Sequence, residues 1–376
     1  MKRNGLLNLL LFFFFFVLSY FRAFVILFGA EPPVVKSAAA APDLDALFER
    51  ADGWIGGDGV YSVALSSKRI LWLFSDTWVG KIRDGRRTDA TIVNNSVGVQ
   101  AGIDKRLTYS IARGRDGKPA ALIVPADGRG WFWLQAGVAD RSRLSLFLNQ
   151  VEKTDDKSVF GFRSVGLWLG TVANADKPPE SWRVEQVRMP NAVFSKDRVL
   201  AWGAAVLRVG DELFVYGIDE RRGKGPPDRR MVVARVPAAS VGTFADWRYF
   251  RDGAWSKDFR NPTPLVGDIA SEYSVTRLGK RYLAVYTERG LSPRIIGRTA
   301  DHPWGPWSAP TVLYVCPEMS RDKKVFCYAA KAHPCLSSDR DLVVSYVVNS
   351  FDFWQVAREA KLYWPRFVRV TLAPPE

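Results

Sequence analysis

Three acids stand where this sequence can do chemistry. Asp58 lies in "GGDG", Asp76 in "FSDT", and Glu272 opens the apolar run "EYSVTRL". The first two bracket a single hairpin, "DGVYSVALSSKRILWLFSD", whose turn has polar residues of its own at 66–69. A carboxylate at each end of a buried-looking strand pair is costly unless it is used or paired. Two or three carboxylates among Trp and Tyr are the apparatus of glycoside hydrolysis: one keeps a proton for the leaving oxygen, and another activates water or attacks the anomeric carbon. Aromatic faces also suit sugar rings, whose C–H faces are apolar. The chain has no GxSxG elbow, P-loop or GxGxxG opening a helix. Its two histidines exclude a multi-histidine metal site, and no CxxC or Cys/His zinc spacing occurs. No cofactor is called for; a calcium ion is compatible with Asp, Asn and carbonyl oxygens, but no loop spells one out.

The elements that must position these acids are strands. After residue 50 helical periodicity is almost absent. Short runs rich in Val, Tyr, Phe and Trp alternate in period two between Gly, Asp, Asn and Pro, which predicts many strands and a sandwich, barrel or propeller. Repetition selects among these. A hairpin that opens polar and closes with an aromatic strand recurs at Asp58 to Asp76, Trp202 to Asp219, Ser271 to Glu288 and Ala332 to Asn349, with a weaker copy at Asn94 to Gln100. Five starts over about 320 residues give roughly 65 per unit, longer than common propeller repeats. The expectation is an all-β, five-bladed β-propeller over residues 46–373, preceded by a transmembrane anchor or signal segment at 1–30 and a linker at 31–45.

If each hairpin begins on an innermost strand, Asp58, Asn95, Gly203, Glu272 and His333 converge on one mouth of the channel. Asp76, Asp219, Glu288 and Asn349 then return just outside it. Each candidate also has a structural reading. Asp76 before Thr77 suits a turn cap, and Asp58 sits in a glycine-rich turn where Asp is ordinary. Glu272 has no turn signal after it, which favours an acid or substrate ligand. His333 either lines the pocket or is a satisfied structural histidine. Arg366 binds substrate hydroxyls or pairs with one of the acids. Trp133, Trp202 and Tyr273 are sugar platforms or blade packing. Asn95 and Asn349 are substrate-binding candidates by position.

The motifs "WIGGDGVYSVAL", "LWLFSDTWVG", "NNSVGVQ", "WGAAVL", "VYGID", "SEYSVTRL", "HPWGPWS", "KAHPCLS", "VSYVVNS" and "YWPRFVRV" resemble those of the domain of unknown function 4185 (DUF4185) family. Its characterised members are endo-D-arabinanases placed in glycoside hydrolase family 183. The similarity runs from Trp54 to Val370. It implies a five-bladed propeller of the arabinanase type, cleavage within a furanose polymer, and Asp58 and Asp76 as the catalytic pair. The family's usual "FGDT" is "FSDT" here, and Ser75 tolerates fewer backbone conformations than Gly. On this expectation Asp58 and Asp76 act as base or nucleophile and tuning partner, with Glu272 the general acid.

Residues 5–30 form an apolar run broken only by Arg22 and preceded by Lys2 and Arg3. Its length suits a spanning helix better than a cleaved signal, with the rest exported. The expected location is therefore membrane-anchored and extracytoplasmic, or secreted if the segment is cleaved. The 376 residues carry a net charge of +14, which suits an anionic envelope polymer or surface; export argues against nucleic acid. The loop "RRGKGPPDRR" at 221–230 reads as solvated. Cys316, Cys327 and Cys335 cluster near the C-terminus, where Cys316 and Cys327 pair or all three stay free. The expected partners are a polysaccharide and, through the N-terminal helix, the membrane; nothing in the sequence speaks to oligomeric state. The competing function is a non-catalytic propeller that binds a glycan or protein.

Overall fold

The computed structural model describes residues 29–140 and 143–374. The apolar runs pair into five antiparallel sheets of four to six strands, here called blades one to five. Many strands bury both faces, as in Arg143–Lys153 with only its ends exposed, because each sheet is covered on either side by a neighbour. Blade one pairs Tyr61–Ser66, Arg69–Phe74, Ser96–Ala101 and Thr108–Ser110; blade two Trp131–Asp140, Arg143–Lys153, Phe162–Val172 and Val184–Arg188. Blade three is built on Arg198–Val209, Glu212–Arg221 and Asp228–Pro237, and blade four on Tyr273–Leu278, Arg281–Thr287, Arg294–Ala300 and Thr311–Val315. Blade five takes Val325–Ala332, Asp341–Ser350 and Pro365–Leu372, and its outermost strand is Val35–Ala40 from the other end of the chain.

The first strand of each blade packs against the first strand of the next, from Tyr61–Ser66 round to Val325–Ala332. Lys331 closes the ring from blade five by donating to the carbonyl of Gly59 at 2.6 Å. Five apolar clusters fill the five interfaces. Leu71 and Phe132 meet between blades one and two, Phe147 and Leu200 between two and three, and Tyr216 and Tyr286 between three and four. Val285 and Val344 meet between blades four and five, and Trp72 and Phe367 between five and one. The five-bladed all-β reading therefore holds, while three of its details change.

First, the expected linker over 31–45 is part of the fold. Val35–Ala40 pairs antiparallel with Pro365–Leu372, and Pro42–Phe48 is a helix that buries Leu44 and Phe48. An edge strand of small, mostly exposed residues has no apolar alternation to announce it. Second, Asn94 to Gln100 opens no blade: Ser96–Ala101 is the third strand of blade one, and blade two begins at Trp131. The hairpin Thr77–Arg83 with Arg86–Val93 intervenes, joining Asp52–Gly57 in a small separate sheet. Third, the innermost strand of blade five is Val325–Ala332, so His333 follows that strand instead of opening it. The N-terminal anchor lies, apart from its last two residues, outside the described residues. Among the described residues no helix is long and apolar enough to cross a membrane.

Cys316, Cys327 and Cys335 are all free thiols. Cys316 and Cys327 lie in the interface between blades four and five. The arginines of 221–230 are largely paired: Arg221 with Asp219, Arg222 and Arg229 with Glu220, and Arg230 with Asp228.

The pairing of Val35–Ala40 with Pro365–Leu372 has a measurable consequence. Removing residues 1–41 strips an edge strand whose ladder bonds each contribute about 0.5–1.5 kcal/mol, so Tm should fall by roughly 5–10 °C. Calorimetry of the shortened and full-length globular parts checks this; an unchanged Tm would show that the strand is dispensable.

Candidate functional site

The first side of the site is the turn between Asp52–Gly57 and Tyr61–Ser66. Its backbone is left-handed at Gly56 (φ +139°), Gly59 (φ +80°) and Val60 (φ +54°). A Cβ at Gly56 would lie 2.8 Å from the carbonyl of Tyr363, and one at Gly59 would lie 3.1 Å from the amide of Ser75. Only glycine fits this fold of the chain, which explains "GGDG". A β-branched residue at positive φ is a true outlier, and such strain persists only where its surroundings impose it. The turn sets Asp58 beside the end of the next strand: its amide donates to Asp76 O at 3.1 Å, and its carbonyl accepts from Ser75 N at 3.0 Å. Ser75 needs no glycine-like conformation, and its hydroxyl donates to Leu134 O at 3.2 Å.

Asp58 Oδ2 accepts from two phenols, Tyr328 at 2.7 Å and Tyr363 at 2.9 Å. Its Oδ1 is buried without a partner. Asp76 Oδ1 accepts from the indole of Trp133 at 2.8 Å and from Asn94 Nδ2 at 3.2 Å. Glu272, at the head of blade four, lies 3.5 Å from the ammonium of Lys331. That buried ammonium also donates to the carbonyls of Gly59 and Ala329 and sits 4.2 Å from the ring centre of Tyr61.

A bulge brings Tyr328 and Lys331 to the same side. Residues three apart on a regular strand face opposite ways. Here the register slips between them, Tyr328 lying opposite Val347 and Lys331 opposite Ser345, with Ala329 at φ +58°. The extra residue turns the lysine back toward the acids. Tyr363 is likewise at φ +69°. Three strained non-glycine residues thus surround one carboxylate.

The electrostatics follow from burial. Loss of water, then the charges of Asp76 and Glu272, push the Asp58 pKa well above the ordinary carboxylate range, against the opposing pull of the two phenols. Burial raises Asp76 to about 6, although its bonds from Trp133 and Asn94 act the other way. The Lys331 ammonium is pulled below its usual range by burial, with Glu272 and Asp58 resisting. Two acids of unequal proton affinity beside a third acid and a buried ammonium can hold and move a proton. Among the described residues no group of three or more His, Cys, Asp or Glu side chains is arranged to hold a metal ion.

A family model described as a domain of unknown function, DUF5005, matches residues 42–372. The chain belongs to the DUF5005 family. The matching family is not DUF4185, the family its motifs resemble. No curated protein matches the chain. Among solved structures, a Bacteroides ovatus protein described as a "putative hydrolase" is 22% identical over 89% of this chain and 90% of its own, with a TM-score of 0.69. That likeness is one of fold. A xylan β-1,4-xylosidase from Bacillus halodurans is 9% identical over 85% of this chain, which spans about half its length (53%), with a TM-score of 0.48. The GH43_1 enzyme from Xanthomonas citri complexed with xylose is 14% identical over 88% and 93% of the two chains, at 0.45. The last two are too distant to carry an argument.

In this DUF5005 chain Asp58, Asp76, Glu272 and Trp133 gather at one mouth. Among the described residues the other candidates make no hydrogen bond or ion pair with these acids. Asn95 is fully buried, donating to Ile123 O and Phe132 O at 2.8 and 2.9 Å, and so pins a connection to blade two. Trp202 is fully buried with its N–H on Asn191 O, and Tyr273 is fully buried with its hydroxyl on Gly217 O; neither offers a face to a sugar. His333 is held between Ser62 and Ser345 at 2.9 and 2.8 Å. Burial and then Lys331 lower its pKa to about 3, leaving a neutral structural imidazole. Asn349 accepts from the Ser350 amide. Arg366 pairs with Asp45 and Glu49 instead of the mouth acids. Tyr61, Asn94, Tyr328, Lys331 and Tyr363 are the site residues that sequence reasoning missed. A lysine inside the apolar run "VFCYAAKA" was the one available signal, since buried lysines are rare unless paired.

The raised pKa of Asp76 fixes the sign of a stability test. A carboxyl whose folded pKa lies above its unfolded value of 3.8 favours the fold at low pH and loses that advantage as pH rises through about 6. Asp76→Asn keeps both hydrogen bonds to Oδ1 and removes the charge. It should gain about 1–3 kcal/mol at pH 8 and nothing near pH 4. Thermal melts at both pH values decide it; a variant less stable at pH 8 contradicts the assignment.

Proposed function

We propose that this protein is a glycoside hydrolase cleaving a furanose-containing, arabinan-like envelope polysaccharide, with Asp58, Asp76 and Glu272 as its acid–base machinery. The observation that carries the reading is the convergence of these three carboxylates from blades one and four beside Trp133, Tyr328 and Tyr363. Hydrolysis of an acetal needs one carboxyl that keeps its proton and another that does not. Asp58 fits the donor: burial and two neighbouring acids favour its protonated form, and both phenols engage Oδ2, leaving Oδ1 without a partner. Glu272, facing the Lys331 ammonium, fits the base or nucleophile. Asp76 raises the proton affinity of Asp58. This exchanges the roles of Asp58 and Glu272 relative to the sequence expectation.

A furanose polymer is supported by the motif resemblance alone, and a sugar substrate by the acids beside an indole and phenols. The reading includes an extracytoplasmic, membrane-tethered location, supported by the apolar run at 5–30 behind Lys2 and Arg3.

The test separates the roles by the kinetic signature of each variant. Against arabinan, Asp58→Asn and Glu272→Gln should each lose about 10²–10⁴-fold of reducing-end release. On an aryl arabinofuranoside with a good leaving group, Asp58→Asn should recover most of the loss, because that bond needs no proton. Glu272→Gln should respond to added azide instead. The reverse pattern exchanges the two roles, and full hydrolysis by both variants rules the proposal out.

A further inference from the structure

The aromatic side chains on the mouth side of blades two and five form one continuous wall. Trp133, whose indole holds Asp76, meets Phe162 at a centroid distance of 4.6 Å. Phe162 meets Phe160 at 6.4 Å, and Phe160 meets Phe326 at 6.1 Å and Phe351 at 6.0 Å. Phe326 meets Tyr328 at 5.5 Å, and the Tyr328 phenol holds Asp58. The wall thus begins on one catalytic aspartate and ends on the other.

Its keystone is Phe160, in the connection 154–161 between two strands of blade two, whereas Phe326 and Phe351 belong to blade five. Blade one, which carries both aspartates, lies between those blades, so the Phe160 contact spans it. The connection is built to hold this position. Thr154 N donates to Gly161 O at 2.9 Å across its base. Asp156 accepts from the amide and hydroxyl of Ser158, whose own hydroxyl accepts from Phe160 N at 3.1 Å. A Cβ on Gly161 would fall 2.2 Å from the Asp156 carbonyl, so only glycine permits the turn. Aromatic pairs about 4.5–7 Å apart are in direct contact, which leaves no gap for a sugar ring.

We infer that the 154–161 segment, through Phe160, closes the blade-one side of the mouth, so that the site is a blind pocket taking a glycan by its end and removing the terminal unit. The inference rests on the hydrolase reading above, and it replaces the mid-chain attack implied by the DUF4185 resemblance. The rest of the chain then leaves over blades three and four. On blade three the strand ends there carry ion pairs, Asp219 with Arg198 and Glu220 with Arg229, and the partly exposed arginines suit hydroxyls rather than ring faces.

Two measurements on the full-length protein test this. In the first, Phe160→Cys and Phe351→Cys are combined and treated with a short bifunctional thiol reagent. An intramolecular cross-link absent from either single variant is expected, and its absence overturns the wall whatever the protein's activity. In the second, linear α-arabino-oligosaccharides labelled at one end are followed by chromatography at low conversion. The wild type should release the terminal sugar as the only early product, leaving chains shortened by one unit. Phe160→Gly should add internal fragments. A ladder of internal fragments from the wild type overturns end-on attack but leaves the hydrolase reading intact. If no glycan is cleaved, the hydrolase reading and the end-on mode fall together, while the cross-link still reports the wall.

Discussion

Holding three carboxylates together in a largely apolar mouth is the constraint on which the rest of this structure depends. Water would stabilise each charge far better than protein does, so the fold must replace that hydration with aimed donors. Two phenols reach Asp58, an indole and an amide reach Asp76, and one buried ammonium faces Glu272. The replacement is incomplete. Asp58 retains an oxygen with no partner, and its proton affinity is raised accordingly. A carboxylate left partly unsatisfied is poised to exchange a proton, as a fully satisfied one is not.

The donors come from far along the chain and are placed by unusual backbone. Tyr328 and Lys331 share a face only because a bulge inserts a residue between them. Tyr363 donates from a left-handed residue, and Val60 adopts the same region beside Asp58. Each such conformation costs on the order of 1–3 kcal/mol. The five apolar interfaces between blades supply the rigidity that maintains them. Lys331 serves both purposes, joining blade five to the turn of blade one while facing Glu272.

How much of this was legible depended on whether the signal was local. The strands were readable because buried sheets demand β-branched and aromatic runs between turn residues, and the repeated hairpin showed that the runs formed blades. Asp58 and Asp76 were readable because acids at the ends of an apolar hairpin contradict their surroundings. Asn94 to Gln100 misled because the third strand of blade one, entered after the inserted hairpin 77–93, carries the same pattern as a first strand. Val35–Ala40 escaped because an exposed edge strand of alanines needs only backbone bonds to Pro365–Leu372. Side-chain type leaves Trp202 and Tyr273 open as sugar platforms or blade packing, and the closed ring of sheets decides for packing by burying its largest aromatics between blades.

By itself, the sequence determined the class of fold, the approximate number of blades, and the two aspartates that bracket the first hairpin, since periodicity and misplaced charge are properties of neighbouring residues. Only the tertiary structure decided which side chains face those aspartates. Tyr328, Lys331 and Tyr363 lie some three hundred residues from Asp58, and their direction is set by one bulge and two left-handed residues. No local pattern encodes that geometry; closure of the blades into a ring enforces it.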